Sequence, residues 1–443
     1  MPGTSPRRRV TSSLLRHRVA SFVGVLACVA LTACSSTAGR SSSSTTGASA
    51  STGRSIPTSA FSDTTGLTST TVSIGNVSTL SLGLFKGALI GTEAYADYVN
   101  SRGGVNGRKI TVDSYDDGFT GALNKQHTTE AAQRDFALVG GFSLEDSFGG
   151  AVLAADPAVP NVTNPLDHFT ALLPNTVGPQ VSNGGWGTGG LEYFVKKYPT
   201  AAHAVGDLIA DQPSALASWQ TEKGAMEHVG IHVVYDHEYA VTQSDFNANV
   251  IAMRNAGVKM LFIDQMPANY AASVLRALDQ QEFHPVVILG TSAYSEALIP
   301  DSGGAAVVNG SYLTLNSALF LGEDASVQPA VPTFLTWVHT AAPGFKPDLF
   351  TLYGWTSAEL FAQALASAGA HPTRGSLLRA LQRVTSFDAG GIIVTSHPSS
   401  RSSSNCFLLA RIENGKFQRF DDPPISGSTG GYLCGGGVYF PRS

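Results

Sequence analysis

From Thr71 onward the apolar positions fall into two rhythms. Val72-Ser73-Ile74-Gly75-Asn76-Val77 alternates as a half-buried strand does, whereas Ala88, Gly91, Tyr95 and Val99 return every three to four residues, the spacing of one helix face. Gly103-Gly104-Val105-Asn106-Gly107-Arg108 follows, dense in turn formers. Residues 109–115 then predict a second strand, residues 122–134 a helix, residues 136–140 a short apolar strand and residues 147–155 another helix. After a glycine-rich break at residues 178–190 the cycle restarts. Strands are expected at residues 204–209, 231–235, 258–263 and 286–289, with helices at 214–227, 247–254 and 270–278. Short apolar strands separated by helices of about 10 to 15 residues imply right-handed βαβ units and parallel sheets. The pattern therefore predicts two α/β lobes, with a helical stretch at residues 352–368 and an apolar turn at 377–381 docked on one of them.

Upstream of Thr71 the rhythm is absent. Arg7, Arg8, Arg9, Arg16 and Arg18 precede an apolar run over residues 19–31, the charged and apolar regions of a secretory signal. That run is too short for a mature membrane helix, which needs about 20 residues. Leu31-Thr32-Ala33-Cys34 comes directly after it and resembles a bacterial lipobox, so residues 1–33 are expected to leave as a signal peptide and Cys34 to carry lipid. The Arg8-Arg9 pair leaves the export route open. Residues 34–70 are expected to form a tether: 21 of the 36 residues from 35 to 70 are Ser or Thr, which bury too little to offset the entropy of ordering. The expected location is the outer face of the cytoplasmic membrane, held there by the lipid.

Charge narrows the partners. The chain carries 28 Lys and Arg against 33 Asp and Glu, and removing the five arginines of residues 1–33 leaves 23 against 33, a net −10. A surface that acidic repels phosphate backbones, which argues against a nucleic-acid partner. Four cysteines are present. Cys28 leaves with the signal and Cys34 takes lipid, so Cys406 and Cys434 remain, enough for one disulfide across a loop-rich tail. Neither has a Cys or His beside it at metal-ligand spacing. There is no Gly-x-Ser-x-Gly elbow, no phosphate-binding Gly-x4-Gly-Lys loop and no His-Glu-x-x-His, and the 11 histidines are scattered. The expectation is a binder without catalytic residues, cofactor or metal.

The order of segments is similar to the type I periplasmic solute-binding proteins of the leucine/isoleucine/valine-binding family. The likeness rests on the Gly103–Arg108 turn leading to Asp116-Asp117, on Leu138-Val139-Gly140-Gly141-Phe142-Ser143, on Ser244-Asp245-Phe246, on Ala256-Gly257-Val258, and on Leu352-Tyr353-Gly354-Trp355 opening a helix. It covers about residues 70 to 420. It implies two Rossmann-like lobes with parallel sheets joined by a three-strand hinge and a ligand enclosed between them. Because the chain crosses between lobes, the expected division is residues 71–178 plus 316–386 for lobe one and 179–315 plus 387–443 for lobe two. The implied role is a monomeric, lipid-anchored protein that captures a small polar solute, an amino acid, amide or relative of these, and delivers it to an ABC permease. A ligand-sensing receptor subunit of the same fold is the alternative.

Open parallel sheets bind ligands beyond the carboxyl ends of their strands. That geometry selects Ser78 and Thr79, Phe142 and Ser143, and Asn164 in lobe one. In lobe two it selects Asp211 and Gln212, Gln265, and Tyr294, with Tyr353 at the start of the late helix. In the resembled family the segment matching Ser143 holds a ligand carboxylate and an acid from the other lobe meets the ammonium. Ser143 also reads as a helix cap, with Asp146 three residues on, and Asp116-Asp117 as a strand end. Asp211 is the candidate ammonium partner, although Asp211-Gln212-Pro213-Ser214 departs from the Tyr-Gly that amino-acid binders of this group commonly carry there.

Overall fold

In the computed structural model, residues 55–181, 183–425 and 430–441 are described, so the expected signal peptide, Cys34 and most of the tether lie outside them. The tether expected over residues 34–70 ends early on the described side. Thr58–Phe61 forms a turn of 3-10 helix, Asp63 pairs with Arg374 at 3.0 Å, and the Gly66 carbonyl accepts from the Ser73 N–H at 2.8 Å. Few as they are, the apolar side chains here find partners: Arg379 lies 4.4 Å over the Phe61 ring, and Leu67 packs on the core.

Lobe one is built on β1 (Thr71–Ser78), α1 (Lys86–Ser101), β2 (Lys109–Asp116), α2 (Gly121–Arg134), β3 (Ala137–Val139), α3 (Asp146–Ala155), β4 (Asn161–Val162) and the short α4 (His168–Leu172). Its four strands run parallel in the order β2-β1-β3-β4. Both faces are covered, as parallel sheets require. Val72 and Ile74 of β1 face α1, while Val77 points the other way, toward α2 and α3.

Lobe two begins with β5 (Trp186–Gly187), α5 (Gly189–Lys197), β6 (Val205–Ala210), α6 (Pro213–His228), β7 (Val233–Tyr239), α7 (Asn247–Asn255), β8 (Met260–Ile263), α8 (Ala268–Gln280) and β9 (Val286–Gly290). Short helices α9 (Leu298–Asp301) and α10 (Ala305–Val308) lead into β10 (Tyr312–Leu315). The chain then supplies α11 (Ala330–Ala341), α12 (Leu349–Ser367) and α13 (Arg374–Leu381) before returning as β11 (Cys406–Glu413), β12 (Lys416–Arg419), β13 (Leu433–Cys434) and β14 (Val438–Tyr439). The second sheet has the order β12-β11-β10-β9-β8-β6-β7, parallel from β7 to β10 and antiparallel at β11 and β12. Leu191, Phe194, Trp219 and Met226 from α5 and α6 cover one face, and α7 and α8 the other. The edge strand β7 runs past the predicted end at residue 235, through the exposed Asp236, His237 and Glu238. With β6 as its one neighbour, it needs no apolar run to hold it. Cys406 and Cys434 stand opposite each other in the β11–β13 register and are bonded, the expected disulfide.

The late helix α12 belongs to lobe one by its contacts. A Cβ on Gly91 would meet the Thr351 carbonyl, and one on Gly354 the Ala88 carbonyl, so α1 and α12 touch backbone to backbone. Asp348 and Thr351 form a reciprocal cap at its start, at 2.8 and 3.1 Å. At its other end, Asn106 in a left-handed conformation, φ 49°, donates to the carbonyls of Leu365, Ala366 and Gly369 at 3.4, 3.3 and 3.0 Å. The lobes are joined where three segments run side by side. Ala318 donates to the Ile392 carbonyl at 2.9 Å, Val394 to that of Asn316 at 3.0 Å, and Asn183 to that of Arg401 at 2.8 Å.

Candidate functional site

A cavity of about 460 Å³ lies between the lobes, within the range of about 300 to 1,000 Å³ common for small-molecule sites. Its lobe-one wall is aromatic. Phe85 before α1, Phe142 after β3 and Phe350 in α12 form a triangle with ring centroids 4.5 to 5.0 Å apart, and Tyr353 lies 5.8 Å from Phe142. Burial holds the Tyr353 phenol at about 12, so it remains a protonated donor. Lobe two contributes Leu208, Phe262, Gln265 and Tyr270, together with Asp207 and Asp264.

Of the residues selected from sequence, four line this cavity: Phe142, Asn164, Gln265 and Tyr353. The Asn164 carbonyl oxygen accepts from the Gln180 N–H at 2.8 Å, while its Nδ2 is buried with no partner among the described residues. Gln265 donates from Nε2 to Glu222 Oε2. The other six are placed elsewhere. Ser78, Thr79 and Ser143 are turned inward, the last two toward one buried acid. Ser143 donates to Asp117 Oδ2 at 2.5 Å and Thr79 to Asp117 Oδ1 at 2.8 Å. Ser143 also accepts from the Glu145 N–H at 2.9 Å, and Ser78 donates to Asn76 while accepting from the Phe142 N–H at 3.0 Å. Asp117 further accepts from Asn124 and from the Phe119 N–H, both at 3.0 Å. A carboxylate already filling this seat repels a ligand's own. Asp211 is exposed and Gln212 half-buried at the start of α6. Tyr294 is fully buried among Phe320 and Phe417, bonded to Glu323.

Asp146 was read as part of a cap. It instead accepts from the Leu166 and Asp167 N–H groups at 2.8 and 3.0 Å and, across the cleft, from Ser214 of α6 at 3.2 Å. Desolvation is the largest cause that lifts its carboxyl to about 7. Asp207 and Asp264 on the lobe-two wall, and Glu222 buried behind them, were not among the residues expected from sequence. Burial first, and then neighbouring acids, pushes Asp207 and Glu222 well above the usual carboxylate range, and burial raises Asp264. A signal was present: Asp207 interrupts an apolar strand, and Asp264 directly precedes the Gln265 that was chosen.

Two lobes of parallel sheet, three side-by-side crossings and a cleft between them define a two-lobed solute-binding architecture. The profile of the periplasmic binding protein family matches residues 71–416, so the chain belongs to that family. Among curated proteins it is similar to the Leu/Ile/Val-binding protein homolog 1 of Brucella melitensis, 24% identical over 290 residues, covering 63% of this chain and 73% of that one. Among solved structures it resembles a fatty acid ABC transporter substrate-binding protein from Thermomonospora curvata, with TM-score 0.65 and 19% identity over 86% of this chain and 95% of that one. It also resembles a leucine-binding protein from Thermotoga maritima, with TM-score 0.65 and 14% identity over 79% of this chain and 97% of that one. These relatives are solute-binding proteins, which supports a non-enzyme reading. Among the described residues no helix is long and apolar enough to cross a membrane.

Proposed function

We propose that this protein is an exported, lipid-anchored solute-binding protein that encloses a small solute with an apolar body between its lobes and hands it to an ABC permease. The observation that carries the reading is the cleft of about 460 Å³, walled by Phe85, Phe142, Phe350 and Tyr353, in a chain of the periplasmic binding protein family. We take the closing bodies as residues 71–178 plus 316–386 and residues 179–315 plus 387–443, acting as a monomer. The names of the relatives support an amino acid or a fatty acid. The aromatic wall supports the hydrocarbon or ring part of either. The engagement of Thr79 and Ser143 with Asp117 argues against a carboxylate seat at residue 143, and leaves Asn164 Nδ2 and the Tyr353 phenol as donors to the solute's polar end. The Ser214–Asp146 bond across the mouth supports lobe contact as a stable state.

Mass spectrometry of solute released by denaturing the purified protein tests the ligand class. Calorimetry follows with branched-chain amino acids, medium-chain fatty acids, amides and aromatic acids. Small-angle scattering should show compaction on binding, and binding without compaction refutes closure. For the anchor, Cys34→Ala should shift the protein to the soluble or unprocessed fraction; unchanged membrane retention refutes lipidation there.

A further inference from the structure

The lobe-two wall holds charged groups that solute capture leaves unused. Asp207 lies within β6, Asp264 immediately after the neighbouring strand β8, and Glu222 on α6, which covers the same face of the sheet. One oxygen of each of the three carboxyl groups lies within 4.8 Å of the other two. Asp207 is 4% exposed and Glu222 0%. Asp207 Oδ2, Glu222 Oε1 and Asp264 Oδ1 are buried and receive no hydrogen bond from a donor group among the described residues, although the Glu222 and Asp264 carboxyl groups lie within hydrogen-bonding reach of each other. No Arg, Lys or His among the described residues forms an ion pair with any of the three.

Buried acid oxygens pointing at one another are stable only when something positive lies between them, a proton or a cation. The spacing limits which cations fit without movement of the ligands. Calcium takes oxygens at about 2.3 to 2.6 Å, so ligands across the ion stand as much as about 5 Å apart, whereas magnesium, at about 2.0 to 2.1 Å, draws them to within about 4.2 Å. Carboxyl oxygens no more than 4.8 Å apart can all reach an ion of the first kind without being drawn together. An all-carboxylate set is hard, which disfavours zinc and copper. Asp207, Asp264, Ser218 and Thr221 all line the cleft, which provides an entry path and room for water ligands. Gln265, bonded to Glu222 Oε2, fixes the orientation of that carboxylate from outside the cluster.

We propose that Asp207, Glu222 and Asp264 hold a calcium-class divalent cation in the lobe-two wall of the cleft. Sequence reading expected no metal because it sought closely spaced ligands, and these three are brought together by the sheet and one covering helix. The site is independent of which solute the cleft takes.

The full chain, purified and stripped with EDTA, is titrated with calcium, magnesium and manganese by calorimetry at pH 7.5 without solute, and melted with and without calcium. Saturable binding of one calcium ion per chain and a calcium-dependent rise in melting temperature are expected. Asp207→Asn and Glu222→Gln should abolish both while melting, in EDTA, no lower than the wild type, because each removes one of three facing charges. Gln265→Ala should weaken calcium by roughly 10- to 100-fold. Absence of saturable binding of all three metals to the wild type overturns the proposal and makes the triad a proton-sharing cluster. So does stabilisation by methylammonium that is lost in Asp207→Asn while calcium is inert, since the triad then receives a solute's ammonium group.

Discussion

Both lobes bury acid against their parallel sheets, and the acids are treated in opposite ways. In lobe one, Asp117 is saturated by Thr79, Ser143, Asn124 and the Phe119 N–H. In lobe two, Asp207, Glu222 and Asp264 each keep an oxygen without a donor group among the described residues. Position in the fold is therefore not enough to separate a structural acid from a binding one. The hydrogen-bond inventory does separate them, because a buried charge that the chain satisfies stiffens the fold, and one that it leaves open is stable only with a partner from outside.

The sharpest way to break this contrast is to neutralise both clusters. Asp117→Ala strands several buried donors at once and should cost about 3 to 5 kcal/mol in chemical denaturation, whereas Asp207→Asn without metal should cost nothing or stabilise. Equal losses would erase the distinction. Next in size is the covalent restraint that ends lobe two: Cys406 and Cys434 lie 28 positions apart, and Cys406→Ser should lower stability by about 3 kcal/mol, read from chemical denaturation.

A third measurement concerns the contact between lobes. Asp146 has its carboxyl raised from 3.8 to about 7, so the folded chain holds this proton where the unfolded chain has released it. Its contribution is full below about pH 4 and is lost as pH rises toward about 7. That loss is on the order of 2 kcal/mol for a half-buried group, and Asp146→Asn should flatten this part of the stability profile. An unchanged profile would place the titration elsewhere. The smallest effect is expected at Ser143. Ser143→Ala should cost about 1 kcal/mol of stability through Asp117 and leave solute affinity within about twofold, by isothermal titration with the released solute. A large loss of affinity with unchanged stability would return the ligand to that seat.

What the sequence disclosed followed the range of the interactions involved. β1 and α1 announced themselves through period, and the turn from Gly103 to Arg108 through composition, with Gly103, Gly104, Asn106 and Gly107 all at positive φ. The partner of that turn was invisible: Asn106 caps a helix whose last residues lie about 260 positions later. The chain crossings gave no periodic signal either, because segments that pair with one another across the hinge need not alternate. At the site, Phe142, Asn164, Gln265 and Tyr353 were found because strand ends and helix starts locate loops. Ser143 looked equally placed, but its direction is decided by Asp117, 26 residues earlier in the loop after β2. Asp207 carried the plainest clue, an ionisable group inside an apolar strand, but the period of a strand does not disclose what its one acid faces.

The backbone contact of α1 with α12 bears on the order in which the protein is made. The face of α1 that carries Ala88 and Gly91 is closed by a helix that begins at Leu349, after the whole parallel run of the second sheet has been synthesised. While the chain emerges in the N-to-C direction, the first lobe stays unfinished, its apolar helix uncovered, and the cap that Asn106 provides has nothing to bind. Closing contacts of such long sequence separation are slow to form. A chain of this order cannot finish its first lobe before the residues of α12 have emerged, so that lobe is held open through most of synthesis.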